Sequence, residues 1–303
     1  MRISILFVGA LRDGGFNQSA LDGAERMQAD PAAGEIEIVD GIPYDPAAMT
    51  SALKAAAGRS DGVVFVGGQG NLVTPPVAEA FAECAFAVVQ GAVTAPNLAS
   101  YDVLQEQSAF LAGVLAARHT QTGCVGHLSG HRVVPGLKGR AAFAAGVRHA
   151  DPDVRLITGF CGTQDDSTVT EAWATRIADA GADVLFTMLN AARDGATRAC
   201  RVTGMRQIGN VTDWCAAEPE VFVASALARI DLGVVRAVQD MRAGRGAGSI
   251  VRLGLAEGAV GLAMGPEVPA GLRTRIDATA AQVSAGELQV STTYDGPEIE
   301  AAA

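Results

Sequence analysis

Asp13, Phe16 and Asn17 lie together in "RDGGFNQSALDGAERM", residues 12–27, directly after an apolar run that reads as a first strand. A carboxylate, a flat ring and an amide within five residues can hold a planar ligand: Phe16 would stack on it while Asp13 and Asn17 meet its polar edges. The same residues also make a helix entry, with Asn17 as N-cap and Phe16 as a staple on the first turn. Gly14 and Gly15 permit the tight or positive-φ turn that either role requires.

Other stretches carry weaker chemistry. "VGGQGN", 66–71, follows an apolar run but fits neither GxGxxG nor GxxxxGK[ST], so it leaves close backbone approach to a ligand, with Gln69 as the polar side chain that could reach it. Cys124, His127 and His131 have metal-like spacing, yet residues three apart on a strand point to opposite faces, and no metal is expected. "GHLSGH", 126–131, lacks the G-x-S-x-G of a nucleophile elbow, and Glu106, Asp165 and Asp166 read as helix-start or solvated acids. "NVTDWC", 210–215, again puts an acid and an aromatic after a short strand. Asp213 could accept from ligand N–H or hydroxyl groups there, and Trp214 or Phe186, at the end of "VLFTML", could form the second face of a clamp. The alternative for this turn is a surface bend with a half-buried Trp.

The elements that must position these residues alternate along the chain. Apolar runs of strand length at 2–9, 35–39, 62–66, 86–90, 124–128, 154–158, 183–187, 206–209 and 221–225 are separated by segments of helical period. That is the pattern of βαβ units and parallel sheets, in which ligands collect at the carboxyl ends of strands. "APNLASYDVLQEQSAFLAG", 95–113, interrupts the series without a strong period and reads as a crossover between two lobes, with further crossovers near 223–233 and 250–264. The predicted domains are 1–103 plus 229–252 and 104–228 plus 253–303, with the ligand cleft between them. Asp102, on the first crossover, either lines that cleft or braces the hinge.

Composition narrows the function. With 303 residues, 49% hydrophobic and 18% charged, the chain can build two sizeable aliphatic cores. A net charge of -10 and no cluster of Lys and Arg argue against nucleic acid as a partner. No apolar run reaches the ~20 residues of a membrane span. Five widely spaced cysteines without a CxxC pair read as buried thiols.

Taken in order, "DGGFNQSALDGA", "EQSAFLAGVLAA" (106–117), "TGCVGHLSGHRVVPGLKGRAAFAAGVRHADPDV" (122–154), "AGADVLFTM", "IGNVTD" and "LGLAEGAVGLAM" resemble the basic membrane lipoprotein (BMP) family, nucleoside-binding receptors of bacterial ABC transporters. The resemblance spans residues 3–265. It implies an α/β type I periplasmic-binding-protein fold: two doubly wound parallel-sheet lobes joined by three crossover segments and closing over a ligand. It further implies that Phe16 stacks on a purine or similar heterocycle beside Asp13 and Asn17, that Phe186 stacks on the opposite face, and that Asp213 grips base nitrogens. "LNAARDG", 189–195, stands where the family has a glycine-rich loop, which brings Asn190 to that wall. Val211 replaces the first of two acids, Trp214 a usual Gln, and Ala228 a common Lys, which favours a free base or small heterocycle over an intact nucleoside.

The expected function is therefore that of a solute receptor without catalysis, using Asp13, Phe16, Asn17, Gln69, Asp102, Phe186, Asn190, Asp213 and Trp214. No cofactor is expected. The implied partners are a small heterocycle and ABC permease subunits, and the implied state is a monomer. The periplasm is the implied compartment, for a mature form without a visible signal peptide, with the cytoplasm as the alternative. The rival readings are a cytoplasmic ligand sensor on the same fold and a nucleoside hydrolase using Asp13 or Asp213.

Overall fold

The computed structural model describes residues 1–299. Its strands in chain order are β1 (Arg2–Val8), β2 (Glu35–Ile42), β3 (Gly62–Val66), β4 (Ala85–Val89), β5 (Leu98–Val103) and β6 (Cys124–Ser129), followed by β7 (Arg155–Phe160), β8 (Val184–Met188), β9 (Arg206–Val211), β10 (Phe222–Ala228), β11 (Ile250–Leu253) and β12 (Val260–Met264). The helices are α1 (Phe16–Ala29), α2 (Pro46–Ala57), α3 (Gly70–Ala80), α4 (Gln105–His119) and α5 (Val134–Ala150), then α6 (Ser167–Asp179), α7 (Arg193–Thr203), α8 (Trp214–Ala217), α9 (Ile230–Arg242) and α10 (Ala270–Ser284).

The chain divides into two units and passes between them three times. The first is Met1–Val103 with Arg229–Leu253; the second is Leu104–Ala228 with the residues from Gly254 onward. Leu253 closes the first unit because it pairs in register with Val103.

Each unit is built on one six-stranded sheet. The first runs β11-β5-β4-β3-β1-β2, parallel throughout. The second runs β12-β10-β9-β8-β6-β7 and repeats that order, except that its last strand, β12, pairs antiparallel with β10. In each, the chain steps from its first strand to one side and then to the other, so the direction of winding reverses between β1 and β3 and between β6 and β8. Loops at the carboxyl ends of strands at such a point are where ligands of open α/β sheets bind.

All nine strands expected from the sequence are present, and β5, β11 and β12 are further strands in stretches read as crossovers. β5 is buried along its whole length, so "LASYDV" shows no alternation of faces, and Ser100 and Asp102 break its apolar run. Ser100 is tolerated inside because its hydroxyl donates to the Val93 carbonyl at 2.6 Å and accepts from the Val93 N–H at 3.1 Å. Local chemistry starts the helices. Asp45 accepts from the Ala48 N–H at 2.8 Å ahead of α2, where Pro46 takes the first position, and Asp166 accepts from Thr168 and Val169 ahead of α6.

The core of the second unit depends on close contact between α4 and α5. A Cβ on Gly113 would lie 2.2 Å from the Phe143 carbonyl oxygen, and one on Gly146 would lie 2.1 Å from that of Phe110. The two glycines thus let each backbone touch the other. Beneath them, the Phe143 and Phe186 rings stack at 5.0 Å, and His127 lies 5.8 Å from Phe186. His127 is fully enclosed and bonds to Thr158 Oγ1 at 2.8 Å through Nδ1 and to Ser129 Oγ at 3.0 Å through Nε2. Burial, with a smaller push from Arg140, lowers its pKa to about 3.

Two outcomes follow. Gly146→Ala should destabilise the protein by about 2 kcal/mol, measured by denaturant unfolding, because the contact it violates is with backbone that overpacking must displace. Improved helix propensity, worth about 1 kcal/mol, would raise stability instead if the contact could relax. For His127, the unfolded chain binds a proton below about pH 6.5 while the native ring stays neutral to about 3. Stability should therefore fall as pH drops through that window, by up to about 1.4 kcal/mol per pH unit, and His127→Gln should flatten this part of the stability curve.

Candidate functional site

The loop between β1 and α1 is organised by two buried polar side chains. Asp13 is 5% exposed, and its carboxylate accepts from Gly15 N–H at 2.8 Å and Gln18 N–H at 3.0 Å through Oδ1, and from Asn17 N–H at 3.0 Å through Oδ2. It therefore satisfies the free N–H groups at the start of α1, a task the flanking Gly15 cannot perform. Burial pushes its pKa above the usual carboxylate value even though the backbone N–H groups pull the other way. Asn17, 3% exposed, donates through Nδ2 to the Val8 carbonyl at 2.8 Å and the Ala10 carbonyl at 2.9 Å. The expected N-cap is thus supplied by Asp13, and Asn17 ties the helix back to the end of β1.

These bonds give Asp13 and Asn17 a structural task in the loop, beside which the ligand contacts expected of them stand as proposals. Both carboxylate oxygens and both amide hydrogens are engaged by the loop itself. Phe16, by contrast, opens α1 half-exposed. The turn reaches it through Gly14 at φ 65°, in the left-handed region. Just after β1, Gly9 at φ 77° leaves room for Tyr44 from the loop after β2, since a Cβ on Gly9 would fall 2.6 Å from the Tyr44 ring.

The neighbouring strand ends are held in the same way. Gln69 is half-buried ahead of α3 and its Oε1 folds over Gly67, where a Cβ would lie 2.7 Å away. Asn71 and Gln90 were not singled out from the sequence, yet they fix this edge. Asn71 Oδ1 accepts from Ala92 N–H at 2.6 Å and its Nδ2 donates to the Gly68 carbonyl at 2.8 Å. Gln90, buried and at φ 66°, donates from Nε2 to the Val103 carbonyl at 2.8 Å. The sequence signal for Asn71 was present, since it ends "VGGQGN". Asp102 is buried on β5, in register with Arg252 of β11.

In the second unit the structure corrects the role expected of Phe186. Its ring is 1% exposed and lies between Phe143 and His127 in the core, so it offers no open face for stacking. Trp214 is half-buried and already engaged: the Arg193 guanidinium sits 3.4 Å from its ring centroid, Phe222 packs at 5.9 Å, and Nε1 donates to the Asn210 carbonyl at 3.1 Å. Gly209 makes space for the indole, with a Cβ there only 2.4 Å from Trp214. Asp213 is exposed and accepts from Cys215 and Ala216 N–H groups at 3.1 and 3.3 Å, capping α8. Asn190 is half-buried, and its N–H donates to Gln164 Oε1 at 3.2 Å, which joins the loops after β7 and β8. Val211, a β-branched residue at φ 66°, holds the end of β9 in a conformation such side chains avoid.

Cys124 and His127, read as facing opposite ways, pack into different cores. Among the described residues, no three His, Cys, Asp or Glu side chains are placed to hold a metal ion. No helix among them is long and apolar enough to cross a membrane.

Comparison with solved structures shows the same fold. A solute-binding protein of an ABC transporter system from Aeropyrum pernix K1 superposes with a TM-score of 0.85 at 23% identity, over 97% of this chain and 94% of its own. A Caulobacter myo-inositol binding protein gives 0.69 at 16% identity, over 92% and 97%. The type I periplasmic-binding-protein fold expected from the sequence is the one observed. Among curated proteins, basic membrane protein A of Borreliella afzelii is 23% identical over 297 residues, covering 93% of this chain and 89% of that one. A purine-binding protein of Brucella abortus (strain 2308) is 21% identical over 219 residues, covering 72% and 62%. The family described as ABC transporter substrate-binding protein PnrA-like matches residues 1–285, and the chain belongs to that family.

Proposed function

We propose that this receptor takes a purine-type base, nucleoside or related small heterocycle, with Phe16 as the stacking platform, and delivers it to ABC permease subunits without chemical change. One observation carries the reading: Asp13 and Asn17 together use five hydrogen bonds to rigidify a loop whose first helical residue is a half-exposed aromatic. A ring fixed in this way loses little freedom when a flat ligand covers it. The relative named for purine binding supports the ligand class. Gln69 and Asn190, half-buried beside the points where each sheet reverses its winding, are the side chains proposed to select polar edges of the ligand. Asp102, Asp213 and Trp214 remain proposed contacts of lower rank, since each is buried in the sheet or engaged locally.

A receptor reading also accounts for the acids. Asp13 and Asp213, the carboxylates a hydrolase would need as acid or base, both cap helices through backbone N–H groups. The proposed form is a monomer exposed to the periplasm.

A thermal-shift series with purine bases, nucleosides, pyrimidines and simple sugars tests the ligand class. A true ligand at 100 times its Kd should add about 2.7 kcal/mol to stability. Purine compounds should raise the melting point, and Phe16→Ala should weaken their binding by about 1–3 kcal/mol, measured by calorimetry. A response to sugars alone, or an unchanged affinity in Phe16→Ala, would overturn the proposal. Asp13→Ala should cost about 1–2 kcal/mol of stability as a lost cap, and should also weaken purine binding because Phe16 is no longer held. Retained affinity in that variant would show that the loop bonds do not position the ring.

A further inference from the structure

The segment after α10 is seated on the outer edge of the second sheet. β7 is the edge strand there, and its Arg155 and Cys161 flanks bond inward, Arg155 N–H to the Gly123 carbonyl and Cys161 N–H to that of Ser129. By the alternation of strands, Thr158 turns its backbone outward. Ile299 N–H donates to that Thr158 carbonyl at 2.9 Å, while its side chain packs toward Gly159 in the cluster that holds Trp173.

Side chains reinforce this docking. Glu298 forms ion pairs with Arg132 and Arg140, and both guanidinium groups also face the Phe160 ring, at 4.6 and 5.3 Å from its centroid. Tyr294 lies over Arg140 at 4.3 Å, and its hydroxyl donates to the Pro297 carbonyl at 2.9 Å, which folds the segment into shape. Arg140 itself is 5% exposed. Residues 291–293, just before the docked stretch, are exposed, whereas Leu288 and Val290 pack on the core.

A strand edge, a paired cationic clamp and an aromatic floor are the parts of a receptor for an extended peptide. We infer that the Arg132, Arg140 and Phe160 edge of β7 is a peptide-docking site that recognises residues 294–299 of this chain as a separable ligand, one that can leave and be rebound from solution. Recognition has three separable parts: the Ile299 N–H on the strand edge, the Glu298 carboxylate in the clamp, and the Tyr294 ring on Arg140. The site is built wholly from residues of the second unit and uses none of those proposed for the ligand above.

The test uses the whole chain with a specific protease site placed at residues 291–293 and cut after folding. The freed segment is washed out in high salt, and a fluorescent peptide of residues 291–299 is added in low salt and followed by anisotropy. The peptide should bind the cut, washed protein and fail to bind the uncut protein, whose groove is filled. Peptide Glu298→Gln should bind about thirtyfold or more weakly, since it leaves buried Arg140 without its carboxylate. A peptide N-methylated at Ile299 should also lose affinity, because the strand-edge donor is gone. These changes are in the peptide, so all three peptides are compared on one and the same cut protein. Absence of binding to the cut protein, with its circular dichroism unchanged, would overturn the inference. Equal binding to cut and uncut protein, or equal binding of all three peptides, would do the same.

Discussion

A carboxylate removed from water must be met by donors, and the arrangement around Asp13 follows from that requirement. The start of any α-helix leaves N–H groups without intrahelical partners. Placing Asp13 three residues before Phe16 answers both needs, because one buried acceptor meets three otherwise unmet donors. The raised pKa of Asp13 shows that desolvation still outweighs those bonds. Its ionised form is therefore held less favourably than in water, while its bonds to the backbone give a capped helix and a fixed loop. Asn17 adds the second tie, to the last turns of chain leaving β1, so the position of Phe16 is determined from both sides.

The two units share a strand order but use the carboxyl edge differently. In the first, small residues and amides dominate: Gly9, Gly14 and Gly67 adopt conformations that keep side chains out of the way, while Asn71 and Gln90 bind backbone. In the second, the corresponding region is filled by its own aromatic and cationic side chains, with Trp214 between Arg193 and Phe222 and with Phe186 under Phe143. Contacts that could go to a ligand are made internally there. The strained Val211 backbone, five per cent exposed and paired with Leu227 of β10, belongs to the same internally braced edge.

This contrast also explains which features the sequence revealed. The β1 loop was legible because a polar, glycine-containing run interrupts an apolar strand and leads into a helical period, and few backbone shapes accommodate that. The roles of Asp13 and Asn17 were not, because a carboxylate or amide beside a helix start has the same sequence whether it faces the backbone or a ligand. Phe186 was misread for a related reason. Alternation assigns a strand residue to a face only when one face is polar, and "VLFTM" is buried on both. β5 escaped notice through the opposite effect, since its internal Ser100 and Asp102 look like loop residues until their partners are known. Gly113 and Gly146 show the same limit, for each is required by a carbonyl on another helix.

The segment after α10 extends the argument from loops to edges. A parallel sheet with an open edge strand presents unpaired backbone groups, which proteins cover or charge to prevent unwanted pairing. Here the cover comes from residues beyond the stretch matched by the family, and it carries the carboxylate that pairs with Arg140. A guanidinium at 5% exposure is costly without such a partner, so the body of the second unit contains a charge that its own last segment must satisfy. Glu298 meets that charge together with the charge of Arg132. The burial of Arg140 beside Phe160 is what makes the position of the segment specific, where a generic hydrophobic contact would have left its register free.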